Sequence, residues 1–302
     1  MPASQAVHDT DVVVIGAGPG GYTAAFHGAD LGLQTILVDL QERPGGVCLH
    51  VGCIPSKALL HVSCVLQQAA HASSMGVEFG KPRVDIDRLR EWKNEIVNKL
   101  TGGLGQIAKM RGVRFVQGRA VFENSGQLKV EGKRPATIRF RNAILATGSR
   151  PTLFPPFEAE SGRILDSTSG LEIREVYDRL LIVGGGYIGL EMGTVYAALG
   201  SEVTVVELTD GLLPGVDRDL VRPLEKALRK SFAGIYLETK VTHLEEESRG
   251  VEVGLEGAVS SSQVFDAVLV AVGRTPNTDG LGLENTAVRV EDGFVVTDYT
   301  SI

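Results

Sequence analysis

The amino-acid sequence predicts an α/β protein that contains two similar strand–helix–strand units. The first unit begins with an apolar run, DVVVIG, which is typical of a strand buried on both faces of a parallel sheet. The second unit begins with another apolar run at residues 180–183. Each run leads into clustered glycines, a helical segment, a second apolar strand and an acid. This repeat predicts two Rossmann-like dinucleotide-binding domains.

The glycines of the first unit follow the spacing G-x-G-x-x-G. They are Gly16, Gly18 and Gly21. In this pattern the glycines permit a tight turn, a close approach of backbone to a pyrophosphate, and close helix–sheet packing. A predicted helix over residues 19–31 and a strand over 35–38 lead to Asp39, which is placed to accept hydrogen bonds from a ribose.

The second unit repeats this pattern with the same spacing. Its glycines are Gly184, Gly186 and Gly189. A predicted helix over residues 190–199 and a strand over 203–206 end at Glu207, so 23 residues separate first glycine and acid in both units. A glutamate at this position favours the free 2′-hydroxyl of NAD and repels the 2′-phosphate of NADP.

Two cysteines stand five positions apart in the stretch GGVCLHVGCIPSKALL, residues 45–60. Pro55 favours the first turn of a helix, which places Cys53 at a helix N-terminus. The helix dipole and nearby Lys57 both favour a thiolate at Cys53. The stretch therefore predicts a redox-active pair formed by Cys48 and Cys53.

Two alternative readings of these cysteines fit less well. Zinc would take Cys48, His50, Cys53 and His61 as ligands, but the spacing is not C-x2-C and a second cysteine pair is missing. A purely structural disulfide is typical of secreted proteins, and the first ten residues lack the features of a secretory signal. We therefore expect no metal site.

Composition indicates a globular protein of two domains: the 302 residues are 43% hydrophobic. The net charge of −7 argues against a nucleic-acid or anionic-membrane partner. Uninterrupted apolar runs are of strand length, so we expect no membrane span and a cytoplasmic location.

The segment between the two units predicts additional structure in the first domain. Helices are expected from residue 54 to about 71 and from 86 to 110, followed by a β-meander between residues 112 and 140 and a strand over 143–146. Prolines after residue 150 mark a linker. The expected domains are residues 1–150, 151–272 and a return segment, 273–302.

The cysteine stretch and the two glycine units, taken together, resemble the pyridine nucleotide-disulfide oxidoreductases from Asp11 to about Asp298. The resemblance is greatest to the members that oxidise dihydrolipoyl groups, although Val47 and His50 stand where members often have Thr and Asn. It implies FAD in the first domain and NAD in the second.

The resemblance also implies roles for individual residues. The catalytic residues would be Cys48, the interchange thiol, Cys53, which faces the flavin, and Lys57, which pairs with Glu191. The FAD site would comprise Gly16, Gly18, Gly21, Asp39, Lys57, Ala120, Thr147, Gly148 and Ser149. The NAD site would comprise Gly184, Gly186, Gly189, Glu207, Val241 and Gly273.

The implied activity is oxidation of a dihydrolipoyl group on a lipoyl domain, with hydride passed to NAD⁺. The implied partners are a 2-oxo acid dehydrogenase complex and a second copy of the full-length chain. The family's C-terminal interface domain is absent, so we expect this chain to be a fragment. Alternatives are a mercuric or glutathione-like disulfide reductase and a truncated, non-catalytic nucleotide-binding module.

Overall fold

The structure is a computed structural model that describes residues 6–152 and 162–298. The helices are α1 (Pro19–Asp30), α2 (Gly46–Val51), α3 (Cys53–His71), α4 (Ile86–Met110), α5 (Tyr187–Leu199) and α6 (Arg218–Ser231). The strands are β1 (Ala6–Ile15), β2 (Thr35–Asp39), β3 (Arg114–Gln117), β4 (Arg119–Asn124), β5 (Gln127–Glu131), β6 (Ala136–Leu145), β7 (Ser149–Pro151), β8 (Ile164–Leu165), β9 (Arg179–Val183), β10 (Glu202–Val206), β11 (Gly234–Tyr236), β12 (Thr239–Glu247), β13 (Gly250–Gly257), β14 (Ser261–Phe265), β15 (Ala267–Val270), β16 (Arg274–Pro276), β17 (Val290–Glu291) and β18 (Phe294–Val295).

The chain divides into two compact units. The first comprises Met1–His50, Val97–Arg150 and Thr275–Ile302, and the second comprises Val51–Ile96 and Pro151–Arg274. The predicted cofactor domains divide the chain differently, because they assign residues 51–96 to the first domain. Those domain boundaries stay a prediction.

The first unit contains a six-stranded sheet in the order β3-β2-β1-β6-β5-β4. Strands β3, β2, β1 and β6 are parallel neighbours, whereas β6, β5 and β4 pair antiparallel. Alternate residues of β1 enter two apolar clusters: Val13 and Ile15 enter one, and Val12 and Val14 the other. The central strand is therefore buried on both faces, which explains its continuous apolar run.

The structure corrects the predicted meander at both ends. The run at residues 114–117 pairs in parallel with β2 and is not part of the antiparallel segment. The runs expected as separate strands near residues 137–140 and 143–146 form one strand, β6, which pairs along its whole length with β1. That long parallel pairing supplies backbone partners for the polar residues between the two apolar runs.

The second unit contains a five-stranded parallel sheet in the order β11-β10-β9-β15-β8 and a separate antiparallel sheet, β12-β13-β14. Successive residues of β9 again point to opposite faces, with Leu180 and Ile182 in one apolar cluster and Leu181 and Val183 in another. The two predicted strand–helix–strand units are thus confirmed, one in each compact unit.

Two side chains of helix α4 form hydrogen bonds with the 3₁₀ turn Ser169–Glu172 and with the residue that follows it. The Lys93 ammonium donates to the carbonyl oxygen of Leu171 at 2.8 Å, and Arg90 donates to the carbonyl oxygens of Glu172 and Ile173. Burial lowers the pKa of Lys93, and the Glu172 carboxylate partly opposes this shift. Two cations therefore satisfy carbonyls that the short turn leaves unpaired.

By length and composition, one helical stretch of the described residues could cross a membrane: Gly46–Met75, with a mean hydropathy of 1.4. The sequence predicts no such span, because no single apolar run is long enough. The stretch has Gly52 as the N-cap of α3, and Leu59 is in the apolar cluster of the second unit. A core helix of a soluble protein meets the same length and composition criteria.

Tyr196→Phe should make stability less sensitive to alkaline pH. Burial, more than the neighbouring Tyr177, raises the pKa of Tyr196, so above pH 10 the unfolded chain loses this proton while the folded chain keeps it. Unfolding is thereby favoured, by about 1.4 kcal/mol per pH unit. Urea denaturation between pH 8 and 11.5 measures the slope, and an unchanged slope in the variant would contradict the prediction.

The same substitution should cost about 1 kcal/mol at pH 8, because the Tyr196 hydroxyl donates to the carbonyl oxygen of Gly170 at 2.9 Å. Tyr177→Phe provides a comparison. Burial also raises the pKa of Tyr177, so Tyr177→Phe should likewise reduce the loss of stability with rising pH.

Candidate functional site

The two glycine turns have nearly the same backbone geometry. Gly16 has a φ of +97° and Gly184 a φ of +107°, a region that favours glycine. The N–H of Gly16 donates to the carbonyl oxygen of Val38 at 2.8 Å, and the N–H of Gly184 donates to that of Val206 at 2.8 Å. Each turn is therefore attached to the strand that ends at the predicted acid.

The third glycine of each motif allows the helix to approach its own turn. A Cβ on Gly21 would overlap the carbonyl oxygen of Gly16, and a Cβ on Gly189 would overlap that of Gly184. The N-caps of the two helices are Gly18 and Gly186, both with extended backbone and no side-chain cap. Their first-turn N–H groups suit a pyrophosphate, as the sequence motif predicts.

The two predicted acids accept hydrogen bonds from the glycine turns. Asp39 Oδ2 accepts from the N–H of Ala17 at 2.6 Å, and Glu207 Oε2 accepts from the N–H of Gly185 at 2.6 Å. In each unit the acid is thus placed beside the turn, at the carboxyl end of its strand. This is the edge of a parallel sheet where ligands bind.

The other predicted FAD residues lie in the same unit as the first turn. The N–H of Gly118 donates to the carbonyl oxygen of Asp39 at 2.8 Å, which brings the buried Ala120 of β4 near this sheet edge. A Cβ on Gly16 would meet the backbone of Ala146 and Thr147. The segment Thr147–Ser149 therefore begins next to the first glycine turn. Gly148 has a φ of +67°.

The predicted NAD residues occupy equivalent places in the second unit. The N–H of Thr239 donates to the carbonyl oxygen of Glu207 at 3.0 Å, and Val241 follows two residues later in β12, where it is buried. Gly273, with a φ of +131°, follows β15. The predicted NAD residues thus lie in chain segments of the second unit that correspond to those of the predicted FAD residues in the first.

Sequence reasoning missed Asn277, which holds the predicted FAD segment in place. Its side-chain N–H donates to the carbonyl oxygen of Thr147 at 2.9 Å, and its backbone N–H donates to that of Gly148 at 3.0 Å. The Arg150 guanidinium donates to the side-chain oxygen of Asn277, Oδ1, at 3.2 Å. A polar residue directly after the sequence GRTP, residues 273–276, was the available signal, but its partners are about 130 positions away.

The predicted redox helix starts where the sequence indicates. Helix α3 begins at Cys53, which is exposed, and Pro55 lies in its first turn. The Lys57 ammonium is 2.7 and 2.9 Å from the two carboxylate oxygens of Glu191. The ion pair implied by the family resemblance is therefore present, within the second unit.

Ser56, which the sequence analysis did not single out, adds to this contact. Its hydroxyl lies 3.0 Å from Glu191 Oε2 and 3.2 Å from the carbonyl oxygen of Cys53. Glu191 belongs to α5, the helix that begins at the second glycine turn. Ser56 and Lys57, in the first turn of α3, thus both contact the Glu191 carboxylate of α5.

Cys48 lies in α2 of the first unit and is half-buried. The chain just before it meets the first glycine turn, since the N–H of Gly45 donates to the carbonyl oxygen of Ala17 at 2.8 Å and a Cβ on Gly46 would overlap the backbone of Gly18. Burial, with a smaller contribution from Cys48, raises the pKa of Tyr22. Because Cys48 and Cys53 fall in different compact units, their pairing stays a prediction.

Within residues 6–152 and 162–298, no group of three His, Cys, Asp or Glu side chains is arranged to hold a metal ion. The third cysteine, Cys64, is exposed on α3.

Curated relatives share the sequence along nearly the whole chain. The dihydrolipoyl dehydrogenase of Haemophilus influenzae is 50% identical over 293 residues, which are 96% of this chain and 61% of the relative. Those of Vibrio cholerae and Staphylococcus aureus are 48% and 43% identical and cover 95% and 97% of this chain. The chain spans about 61% of the length of the first two of these relatives and 63% of the third.

Solved structures match the fold. The HOCl-induced flavoprotein disulfide reductase RclA of Escherichia coli, in its Cu(II) complex, has a TM-score of 0.83 at 30% identity and covers 96% of this chain and 63% of its own. LpdA of Mycobacterium tuberculosis has a TM-score of 0.84 at 23% identity over 94% of this chain and 63% of its own. Residues 10–301 match the family described as pyridine nucleotide-disulphide oxidoreductase. With both glycine turns and the helix that begins at Cys53 in place, this chain belongs to the pyridine nucleotide-disulphide oxidoreductase family.

Proposed function

We propose that this chain is the cofactor-binding part of a dihydrolipoyl dehydrogenase. The protein would oxidise protein-bound dihydrolipoamide through Cys48 and Cys53 and pass a hydride through FAD to NAD⁺. The observation that carries the proposal is that the helix beginning at Cys53 is bonded, through Lys57, to the helix that begins at the second glycine turn. The 43–50% identity to dihydrolipoyl dehydrogenases supports it.

Members of this family use FAD and NAD. We propose that the first turn and Asp39 hold FAD, with the Ala120 strand and the Thr147–Ser149 segment beside it. The second turn and Glu207 would hold NAD⁺, with Val241 and Gly273 beside it. When bound, FAD would accept an electron pair from a dithiol and release it as hydride.

The substrate reaction would be thiol–disulfide exchange. A thiolate of the dihydrolipoyl group attacks Cys48 Sγ, which breaks the Cys48–Cys53 disulfide and releases Cys53 as a thiolate. The second thiol of the substrate then attacks the substrate sulfur of the mixed disulfide. Oxidised lipoamide leaves, and Cys48 is released as a thiol. Cys53 is the first residue of α3, and Cys48 lies in α2.

We assign Lys57 and Glu191 to alignment of the redox helix. Their ion pair is partly solvent-exposed, with 57% and 26% of the two side chains accessible, so its contribution to stability is small, about 1 kcal/mol or less. The ion pair would instead fix the orientation of the helix, because the Glu191 carboxylate contacts both Lys57 and Ser56, which lie in the same turn as Cys53.

The proposed partners are a lipoyl domain of a 2-oxo acid dehydrogenase complex and a second copy of the full-length chain. The proposed location is the cytoplasm. A second candidate, a disulfide reductase for another substrate such as a glutathione-like disulfide or mercuric ion, is favoured by the similarity to the Escherichia coli flavoprotein disulfide reductase. Turnover with dihydrolipoamide and NAD⁺, compared with these substrates, separates the two.

The proposed cofactor relay is tested by an absorption spectrum of the purified chain, reconstituted with FAD, before and after one equivalent of dithiothreitol under nitrogen. We expect flavin bands, followed on reduction by a long-wavelength charge-transfer band, because the Cys53 thiolate would lie against the flavin. A protein that stays colourless after FAD is added, or one that holds FAD but never develops the band, would contradict the proposal.

A further inference from the structure

The Glu207 carboxylate has three hydrogen-bond donors. Oε2 accepts from the N–H of Gly185 at 2.6 Å. Oε1 accepts from both the backbone N–H and the hydroxyl of Thr209, each at 2.8 Å. A side chain two residues after the acid therefore helps to set the orientation of the carboxylate.

The first unit shows which of these donors is additional. Asp39 accepts from the backbone N–H groups of Ala17 and Gln41 at 2.6 and 2.8 Å. These two bonds match the backbone bonds of Glu207 in position and length. The hydroxyl of Thr209 is thus a third donor on the same carboxylate oxygen as the second backbone bond.

Burial explains why a third donor matters at Glu207. Glu207 is only 8% exposed, whereas Asp39 is half-buried. A carboxylate removed from water loses free energy unless donors replace its hydration. The hydroxyl of Thr209, although that residue is exposed, supplies one such donor at 2.8 Å.

The donors also limit how a ligand can bind. An ionised carboxylate has about four acceptor positions, of which three are filled here, so about one is left for a ribose hydroxyl. The Thr209 hydroxyl hydrogen has an alternative acceptor in the carbonyl oxygen of Gly211 at 3.0 Å, but a charged carboxylate is the stronger acceptor. Thr209 is itself held, because its carbonyl oxygen accepts from the N–H of Glu238 at 2.9 Å.

We propose that Thr209 is a positioning residue that holds Glu207 with its open acceptor position toward the adenosine 2′-hydroxyl of NAD⁺. Thr209 thereby increases the preference of the site for a dinucleotide that carries this hydroxyl. The inference rests on the proposed NAD⁺ site and adds to it a residue that would act through Glu207.

The test is isothermal titration calorimetry of the full chain, which gives the dissociation constants of NAD⁺ and of the NAD⁺ analogue that lacks the adenosine 2′-hydroxyl. Thr209→Val keeps the backbone N–H and the side-chain shape but removes the hydroxyl, and Thr209→Ser keeps the hydroxyl. We expect the wild type and Thr209→Ser to prefer NAD⁺ over the analogue, and Thr209→Val to lose about fivefold of that preference, the usual effect of one hydrogen bond.

Three outcomes would overturn the inference. One is a Thr209→Val protein with the wild-type preference. Another is a Thr209→Val protein that loses affinity for both ligands equally, because that is the result of a purely structural role. The third is a folded wild-type chain that binds neither ligand, which would reject the NAD⁺ site itself and the inference with it. Circular dichroism of each variant confirms folding.

Discussion

Cys53→Ser should lower dihydrolipoamide-dependent reduction of NAD⁺ by about 10³-fold or more, the scale expected when a covalent nucleophile is removed. Serine cannot form the disulfide, and its hydroxyl does not ionise near neutral pH. Flavin content should stay at the wild-type level, because serine is close to cysteine in size and the predicted FAD turn is unchanged. Stopped-flow turnover and the flavin absorbance of each preparation measure the two quantities.

The matched control is Cys64→Ser. Cys64 is an exposed cysteine on the same helix, eleven residues after Cys53 and about three turns away, and it should tolerate the change without loss of turnover. Cys48→Ser should be as inactive as Cys53→Ser, but it should keep the long-wavelength band because the Cys53 thiolate is retained. A Cys53→Ser protein with a tenth of wild-type turnover would reject the assigned role.

Gly21→Ala should destabilise the first unit by about 3 kcal/mol or more and prevent the proposed binding of FAD there. The added Cβ would overlap the carbonyl oxygen of Gly16, which belongs to backbone and cannot rotate away. Helix α1 would have to shift away from the turn, and its first-turn N–H groups would move with it. Urea denaturation and flavin content give the two readouts.

The adjacent glycine offers a control in the same helix. Gly20 has nothing within 4 Å of its added Cβ, so Gly20→Ala should be neutral or should stabilise the chain by up to about 1 kcal/mol through helix propensity. Equal urea midpoints for the two variants would show that the close approach at Gly21 is not required. Gly189→Ala is the equivalent change in the second unit, where the Cβ would overlap the carbonyl oxygen of Gly184.

The features that were predicted from sequence are those with a local physical cause. The bounds of α4 agree with the prediction, and those of α1 differ by one residue, because periodic apolar residues and turn signals lie within one short window. The glycine turns were found because Gly16 and Gly184 have φ values that favour glycine and Gly21 and Gly189 leave no room for a Cβ. The start of the redox helix followed from Pro55.

The features that could not be predicted join residues far apart in the sequence. No pattern within residues 114–117 shows that β3 pairs with β2, and no pattern within 136–145 shows that β6 follows β1 along its full length. The contact between Lys57 and Glu191 spans 134 positions and came from the family resemblance alone. Such pairs depend on how the sheets and helices pack.

Local sequence therefore located the turns, the acids and the cysteines, since steric and helix-start rules act between neighbours in the chain. Packing alone placed Asn277 beside Thr147 and the Ser56 hydroxyl beside Glu191. A hydrogen bond requires two groups to meet within about 3 Å, and only the folded chain brings distant groups that close.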